Sequence, residues 1–580
     1  MTALGPVEVM TALDQHGPAD GMTAVDERTP TQPIDRLIDR RSFVVRSAAL
    51  AAASTIGGAV ALPAIAYAGP VSATTPDRID AYTEPRPEAL DDLTELTVAE
   101  AAWLIRAGRL KPELLLAAYL DRIAAFDGAY QAFNTVAIDS ALAAARSLAD
   151  RRRHRGALHG IPLAIKDNYY TAGLATTANS YLFADFVPPF DATAVAKLRQ
   201  AGAVVIGKTQ MGPLATTRAT TPNGIVTTVN AWTPADPAVD PGGSSTGTAT
   251  AVAGRLAASG TGTQTGGSIT SPSNAQNLTG LKPTMGRVSL YGIIPLSYTR
   301  DHPGPLARDA MDAAIMLKAM AGPDPNDPRT QGLPPVPDLV AAATPVYQRR
   351  KLRMRWPTRI GVIPGYLSGT SAVARQAFLT ALAAIPDIRI VDVPLPAEWD
   401  LLTGGAFNNV RLPERSEPFR PYLRTDLRGF GVSVTGWLQG ALLGADEFVT
   451  GQRAKLRLLE DVLDTVFRRC DVVVQTGPVP FDILGLPELA LPIGFTPAGV
   501  PVGTILGGQP YAEDRLLAVA AAYQATTDWH RRRPANPPGG APPPTGADSA
   551  PDARTFTVPP SRPDPARGRL TADDVVATMQ

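Results

Sequence analysis

The stretch from Pro241 to Thr284 is mostly Gly, Ser, Thr and Ala, so its backbone can pass close to other backbone and take up turns that bulkier residues resist. It holds a Gly-Gly-Ser-Ser turn at 242–245 and a Thr-Gly-Gly-Ser turn at 265–268, with Ser244 and Ser268 24 residues apart. The small-residue run between them predicts a helix over 248–258. Upstream, in HGIPLAIKDN, Lys166 follows a short apolar run. One lysine and two serines so placed suggest a hydrolase that activates a serine without histidine.

At 580 residues and 44% hydrophobic content the chain can bury a large core. One large α/β unit with flexible ends is the expectation. Lys and Arg total 54, as do Asp and Glu, so no net field draws the chain to nucleic acid or an anionic membrane, and a small neutral partner fits better. The single cysteine, Cys470, forbids an intrachain disulfide and a multi-cysteine metal cage, and its setting in TVFRRCDVVVQ reads as a buried structural thiol. Five histidines without metal-ligand spacing give no support for a metal site.

Asp39-Arg40-Arg41-Ser42-Phe43, followed by an uncharged Ala- and Gly-rich run ending in Ala66-Tyr67-Ala68, is similar to a twin-arginine export signal. Residues 1–68 are therefore expected to be a cleaved leader and the protein to be exported, outside the cell or in its envelope, without stable membrane insertion afterwards. Residues 69–90 are expected to be a linker, 91–533 the folded domain, and 534–580, rich in Pro, Gly, Ala, Asp and Arg, a disordered tail.

Within the domain, Thr97 and Glu100 fit a capping box, Gly108 a helix end and Pro112 a first helical turn. A third helix is expected near 140–152. Ile161 to Ile165, Ala192 to Gln200 and Ala203 to Ile206 read as strand, crossover helix and strand, the βαβ unit of a parallel sheet. Further strands are expected at 359–363, 388–393 and 471–475, paired strands within 485–508 and a helix at 512–526. Leu401 to Leu442, without clean periodicity, suggests a lid or pocket wall.

A serine hydroxyl becomes a useful nucleophile when a base takes its proton in the transition state. Lysine serves as that base only when neutral. Burial at the end of a central strand favours the neutral form, whereas a salt bridge from Lys166 to Asp167 would undo it. Ser244, beside a predicted helix N-terminus, is placed to pass a proton, and the Thr265-Gly266-Gly267 N–H groups before Ser268 can converge as an oxyanion hole. Gly243-Ser244-Ser245-Thr246-Gly247 also satisfies GxSxG, but the preceding ADPAVDP is too rich in proline for the strand that a nucleophile elbow needs, and its base would have to be His302 or His530.

GIPLAIKD, GKTQM, PGGSS, TGGSI, GLKPT, GIIPLS, GLPELALPIG and WHRRRP, in that order, resemble the amidase signature family over roughly Leu96 to Pro534. The resemblance implies a large mixed, mainly parallel β-sheet flanked by α-helices, and no cofactor. It implies Lys166 as base, Ser244 as the bridging serine on a cis peptide and Ser268 as the acylated nucleophile. Thr265, Gly266 and Gly267 become the oxyanion donors, with Ser245 and Gly243 supporting the turn. The partner would be a small-molecule or peptide amide, and SLYGIIPLSYTRDHPGPLAR is most like the peptide-amidase branch. Two departures stand out: Gln264 occupies the place of the usual aspartate before TGGS, and Thr270 that of the usual arginine after it. They keep open a non-catalytic binding protein on the same scaffold, and the family also contains a transamidating subunit that works with charged tRNA.

Overall fold

The computed structural model describes residues 78–150 and 154–537 and forms thirteen strands among them. They are β1 (Phe133–Val136), β2 (Pro162–Lys166), β3 (Val204–Thr209), β4 (Ser259–Gln264), β5 (Thr279–Lys282), β6 (His302–Ala307), β7 (Val346–Gln348), β8 (Lys351–Arg353), β9 (Thr358–Val362), β10 (Ile388–Asp392), β11 (Val472–Gln475), β12 (Glu488–Phe495) and β13 (Pro501–Gly508). Eleven form one mixed sheet in the order β1-β3-β2-β4-β6-β5-β12-β13-β11-β9-β10, and β7 and β8 make a separate hairpin. Two blocks are parallel, β3-β2-β4 and β11-β9-β10, and antiparallel pairs join them. The helices lie against the sheet, as the expected α/β architecture requires.

The βαβ unit is present as β2, the helix Thr193–Gln200 and β3. All five residues of β2 are buried, and Lys166 is its last residue, opposite Thr209 of β3. Thr97 caps the helix Val98–Ala107 reciprocally with Glu100, Gly108 ends it in the left-handed conformation, and Pro112 opens the helix Pro112–Tyr130. Cys470 is buried, and burial pushes its thiol up to about 12, as suits a structural residue.

Strand β4 has no counterpart among the elements expected from the sequence, which leave Ser259 to Gln264 unassigned between the helix and the second turn. The helix is shorter than expected, Thr246–Ala253, and ends at Gly254 before Arg255 at φ 63°. The reason is contact. A Cβ at Gly260 would come 2.5 Å from Thr248 Cγ2, and one at Gly262 would come 2.8 Å from Ser245 Oγ. Only a strand of this composition lets that helix lie directly on the sheet.

Other boundaries also move. The third helix is Ile138–Ser147, ending before the basic run. The linker expected at 69–90 is corrected over 78–90: Ile79 and Ala89 are buried, Ile79 bridges Gly156, and Arg86 is ion-paired with Glu100 at 2.7 Å. At the other end Asn536 accepts from Arg122 and Arg255, so the packed region reaches past 533. Residues 1–77, with the leader, and 538–580, with most of the tail, lie outside the described residues.

Leu401 to Leu442 is mainly helical. Phe419, Leu423, Leu427, Phe430 and Trp437 pack on Met211, Leu214, Ile294 and Leu296. Ile294 in turn donates its N–H to the carbonyl of Asn168, two residues beyond Lys166, so this cover sits over the end of the sheet where the lysine emerges.

Candidate active site

Lys166 is fully buried, and its Nζ lies 2.9 Å from Ser244 Oγ, 2.9 Å from Ser245 Oγ, 2.8 Å from Thr263 Oγ1 and 3.2 Å from the Thr263 carbonyl. All four are neutral oxygens. Burial therefore drives the ammonium down from 10.5 to about 7, opposed only by the more remote charge of Asp301. That displacement corresponds to roughly 5 kcal/mol against the charged form. Asp167, the neighbour able to cancel it, is turned to other partners: Lys208 Nζ at 3.1 Å, Asn134 Nδ2 at 2.8 Å and Thr177 Oγ1 at 2.5 Å.

The Gly242-Gly243 turn brings the serines to the lysine by wedging between two other segments. Gly242 has φ +75°, and a Cβ there would sit 2.5 Å from Pro272 Cα; one at Gly243 would sit 2.5 Å from the Thr217 carbonyl. The Gly243–Ser244 peptide is cis. Ser244 accepts the Gly212 N–H through its carbonyl, at 3.1 Å, and Ser245 donates its N–H to the Ser268 carbonyl, at 3.3 Å. That last bond joins the two turns.

Ser268 is 8% exposed, and its hydroxyl is hydrogen-bonded to no described residue. Lys166, Ser244 and Ser245 thus form one contact set, and Ser268 meets it through backbone; the Ser244 and Ser268 hydroxyls are not hydrogen-bonded to each other in this state. Gly266 is exposed and Gly267 has φ +96°. The N–H groups of the expected donors Thr265, Gly266 and Gly267, and that of Ser268, donate to none of the described residues, which leaves them open to an incoming oxyanion. Thr265 Oγ1 donates to Asp301, whose other oxygen accepts the N–H groups of Leu296 (2.7 Å) and Ser297 (3.0 Å).

Sequence reasoning missed Thr263, a direct partner of Lys166, and Asp301, which braces the turn. A signal was there: Thr261, Thr263 and Thr265 alternate with a period of two, and Thr261 Oγ1 accepts the Lys166 N–H at 3.1 Å. Neither histidine of the GxSxG reading reaches these serines. His302 is buried with Nδ1 3.3 Å from the Gln264 carbonyl, and His530 is the buried residue of the turn Trp529–Arg531, where burial pushes it down to about 3.

A family model described as Amidase matches residues 114–402. The A-type chain of the glutamyl-tRNA(Gln) amidotransferase of Moorella thermoacetica is 34% identical over 499 residues, covering 76% of this chain and 99% of its own length. The chain of the same name from Myxococcus xanthus is 34% identical over 495 residues, covering 76% and 99%. Among solved structures, the native peptide amidase of Stenotrophomonas maltophilia is 31% identical with a TM-score of 0.66, covering 78% of this chain and all of that one. A complex of the peptide amidase PAM with the competitive inhibitor chymostatin is 30% identical with a TM-score of 0.68, covering 76% and 99%.

These relatives correct the expectation of export. The curated ones are amidotransferase subunits named for glutamyl-tRNA(Gln). The run at 39–68 that suggested an address lies outside the described residues, and paired arginines before a small-residue stretch are a short pattern that arises readily in a chain rich in alanine. Among the described residues no helix is long and apolar enough to cross a membrane.

Proposed function

This chain belongs to the amidase family, and on that premise we propose that it cleaves a carboxylic amide to acid and amine or ammonia with Ser268 as nucleophile and Lys166 and Ser244 as its proton relay. The observation that carries this reading is a buried amine, near neutrality in its titration, 2.9 Å from the first of two serines. In the resting enzyme the neutral amine takes hydrogen from Ser244, which takes it from Ser268 as that oxygen attacks the carbonyl. The oxyanion meets the open N–H groups of Thr265, Gly266 and Gly267, where each donor is worth about 3 to 4 kcal/mol. The ammonium so formed has three protons and four oxygens within reach, so its charge is never left without acceptors. Collapse returns the proton to the leaving nitrogen, and water releases the acid by the same relay.

Replacing Ser268 by Ala, and separately Lys166 by Ala, should abolish turnover of an aryl amide in a folded protein. Full activity in the Ser268 variant would end the proposal. Labelling by a fluorophosphonate addresses the non-catalytic alternative: an activated Ser268 is modified, an idle one is not.

A second reading, a transamidating A-type subunit that supplies ammonia within a complex, is favoured by the curated relatives at 34% identity. Turnover of simple amides by the chain alone, without tRNA or added subunits, favours the free amidase. Amide cleavage that appears only within such a complex favours the transamidating reading.

A further inference from the structure

Two of the positions at which this chain departs from the family pattern, Gln264 and Thr270, meet in the structure. Gln264 is the last residue of β4 and is wholly buried. Its Oε1 accepts the N–H groups of Ile269 (3.0 Å) and Thr270 (2.9 Å) and the Thr270 hydroxyl (3.2 Å). One side chain thereby ties both ends of the turn that presents Ser268. Its Nε2 donates to Glu488 Oε2 at 2.8 Å. Glu488 stands opposite Lys282 in the β12–β5 register, with Nζ 3.8 Å from the same oxygen, and Lys282 also donates to the Leu486 carbonyl.

Resting on the assignment of Ser268 as nucleophile, we propose that Gln264 is a positioning residue whose carboxamide polarity, acceptor toward the turn and donor toward Glu488, holds the Ser268 turn in reactive geometry. The aspartate and arginine usual at 264 and 270 would tie such a turn by charge. Here a neutral amide does so and passes the hold across the sheet to a buried ion pair.

The polarity is the testable part. A glutamate at 264 can still accept the turn's N–H groups, but it faces Glu488 with no proton to give. The groups acting on that carboxylate are Lys282 on β5, Asp482 with its partner Arg300 at 3.2 Å, and Gln475 on β11; Glu513 of the helix Glu513–Gln524 acts on Lys282, which in turn acts on the neutral His302 on β6. With these neighbours, two carboxylates in contact must share a proton and will lose it as pH rises.

The experiment compares the parent, Gln264→Glu, and the double variant Gln264→Glu/Glu488→Gln, in which donor and acceptor are exchanged and the pair again holds a single carboxylate. Gln264→Glu should lower kcat roughly 10- to 100-fold with KM within about twofold, and add a falling limb to the pH profile on its alkaline side. The exchanged pair should restore both kcat and the parent's profile. If the single variant does not fold, the exchanged pair is read by itself: near-parental kcat supports the proposal, and a low value overturns it. Parental kcat and profile in Gln264→Glu, or failure of the exchanged pair to recover activity, also overturns it. Absence of fluorophosphonate label on Ser268 in the parent sinks the nucleophile assignment. A labelled parent whose Gln264→Glu variant labels equally fast sinks this proposal alone.

Discussion

Lys166 and Lys208 occupy neighbouring parallel strands one register step apart, and both side chains are wholly buried. Burial lowers the pKa of each. They differ in their company. Lys208 has Asp167 at 3.1 Å, together with the Tyr169 carbonyl and Thr176 Oγ1, and that carboxylate works against the downward shift. Lys166 has only hydroxyl and carbonyl oxygens around its amine. The nearest carboxylate in sequence has been assigned to the structural lysine, which leaves the other one free to be neutral. A catalytic lysine is made here as much by where its neighbour's negative charge goes as by its own burial.

Removing the amine is the strongest way to break this contrast. Lys166→Ala should cost roughly 10³-fold or more in kcat/KM on an amide, measured by initial rates, while the thermal midpoint stays near the parent's or rises, because a costly buried amine has gone. Lys208→Ala should reverse the pattern. It strands Asp167 in a dry site, so about 3 to 5 kcal/mol of stability is lost in denaturant melts, with activity following only the folded fraction.

The contrast also sharpens with pH. Activity should climb from acid and level off with an apparent pKa near 7, as Lys166 loses its proton. Its folded pKa lies below the unfolded value of about 10.4, so between these limits the unfolded chain binds the extra proton and stability from this group rises with pH. Lys166→Met should flatten that part of the stability profile, and an unchanged slope would assign it to other groups.

The smallest expected effect belongs to Thr263→Val. Loss of one acceptor for the ammonium should move the rising limb to lower pH and cost roughly 3- to 10-fold in kcat. A limb displaced to higher pH would show that Thr263 Oγ1 does not stabilise the charged form.

Much of this could be read from residues alone. The apolar run at 161–165 and the helix after it identified the central unit, because a buried parallel strand must be nearly all hydrophobic. Lys166 and the two glycine-serine turns stood out because few other sequences allow backbone to crowd so closely. Strand β4 did not, since a strand of Gly and Thr carries no apolar signature and exists because a helix lies on it. The partner of Asp167 was equally invisible, for it comes from β3, more than forty residues away, and only the register of the sheet decides it. Export was inferred from a short local pattern, and like the linker expected at 78–90 it is an expectation that failed.

The glycines of β4 carry a consequence for how such an enzyme can diversify. Adding even a methyl group at 262 drives an atom against Ser245, so the floor under the chemistry tolerates almost no drift. The helical cover at 401–442 has a packed inner face, but large side chains such as Leu401 and Leu442 stand exposed on it and are freer to vary. New substrates should therefore be acquired by rewriting the roof, and a library confined to its exposed positions would search for them with the least risk to turnover.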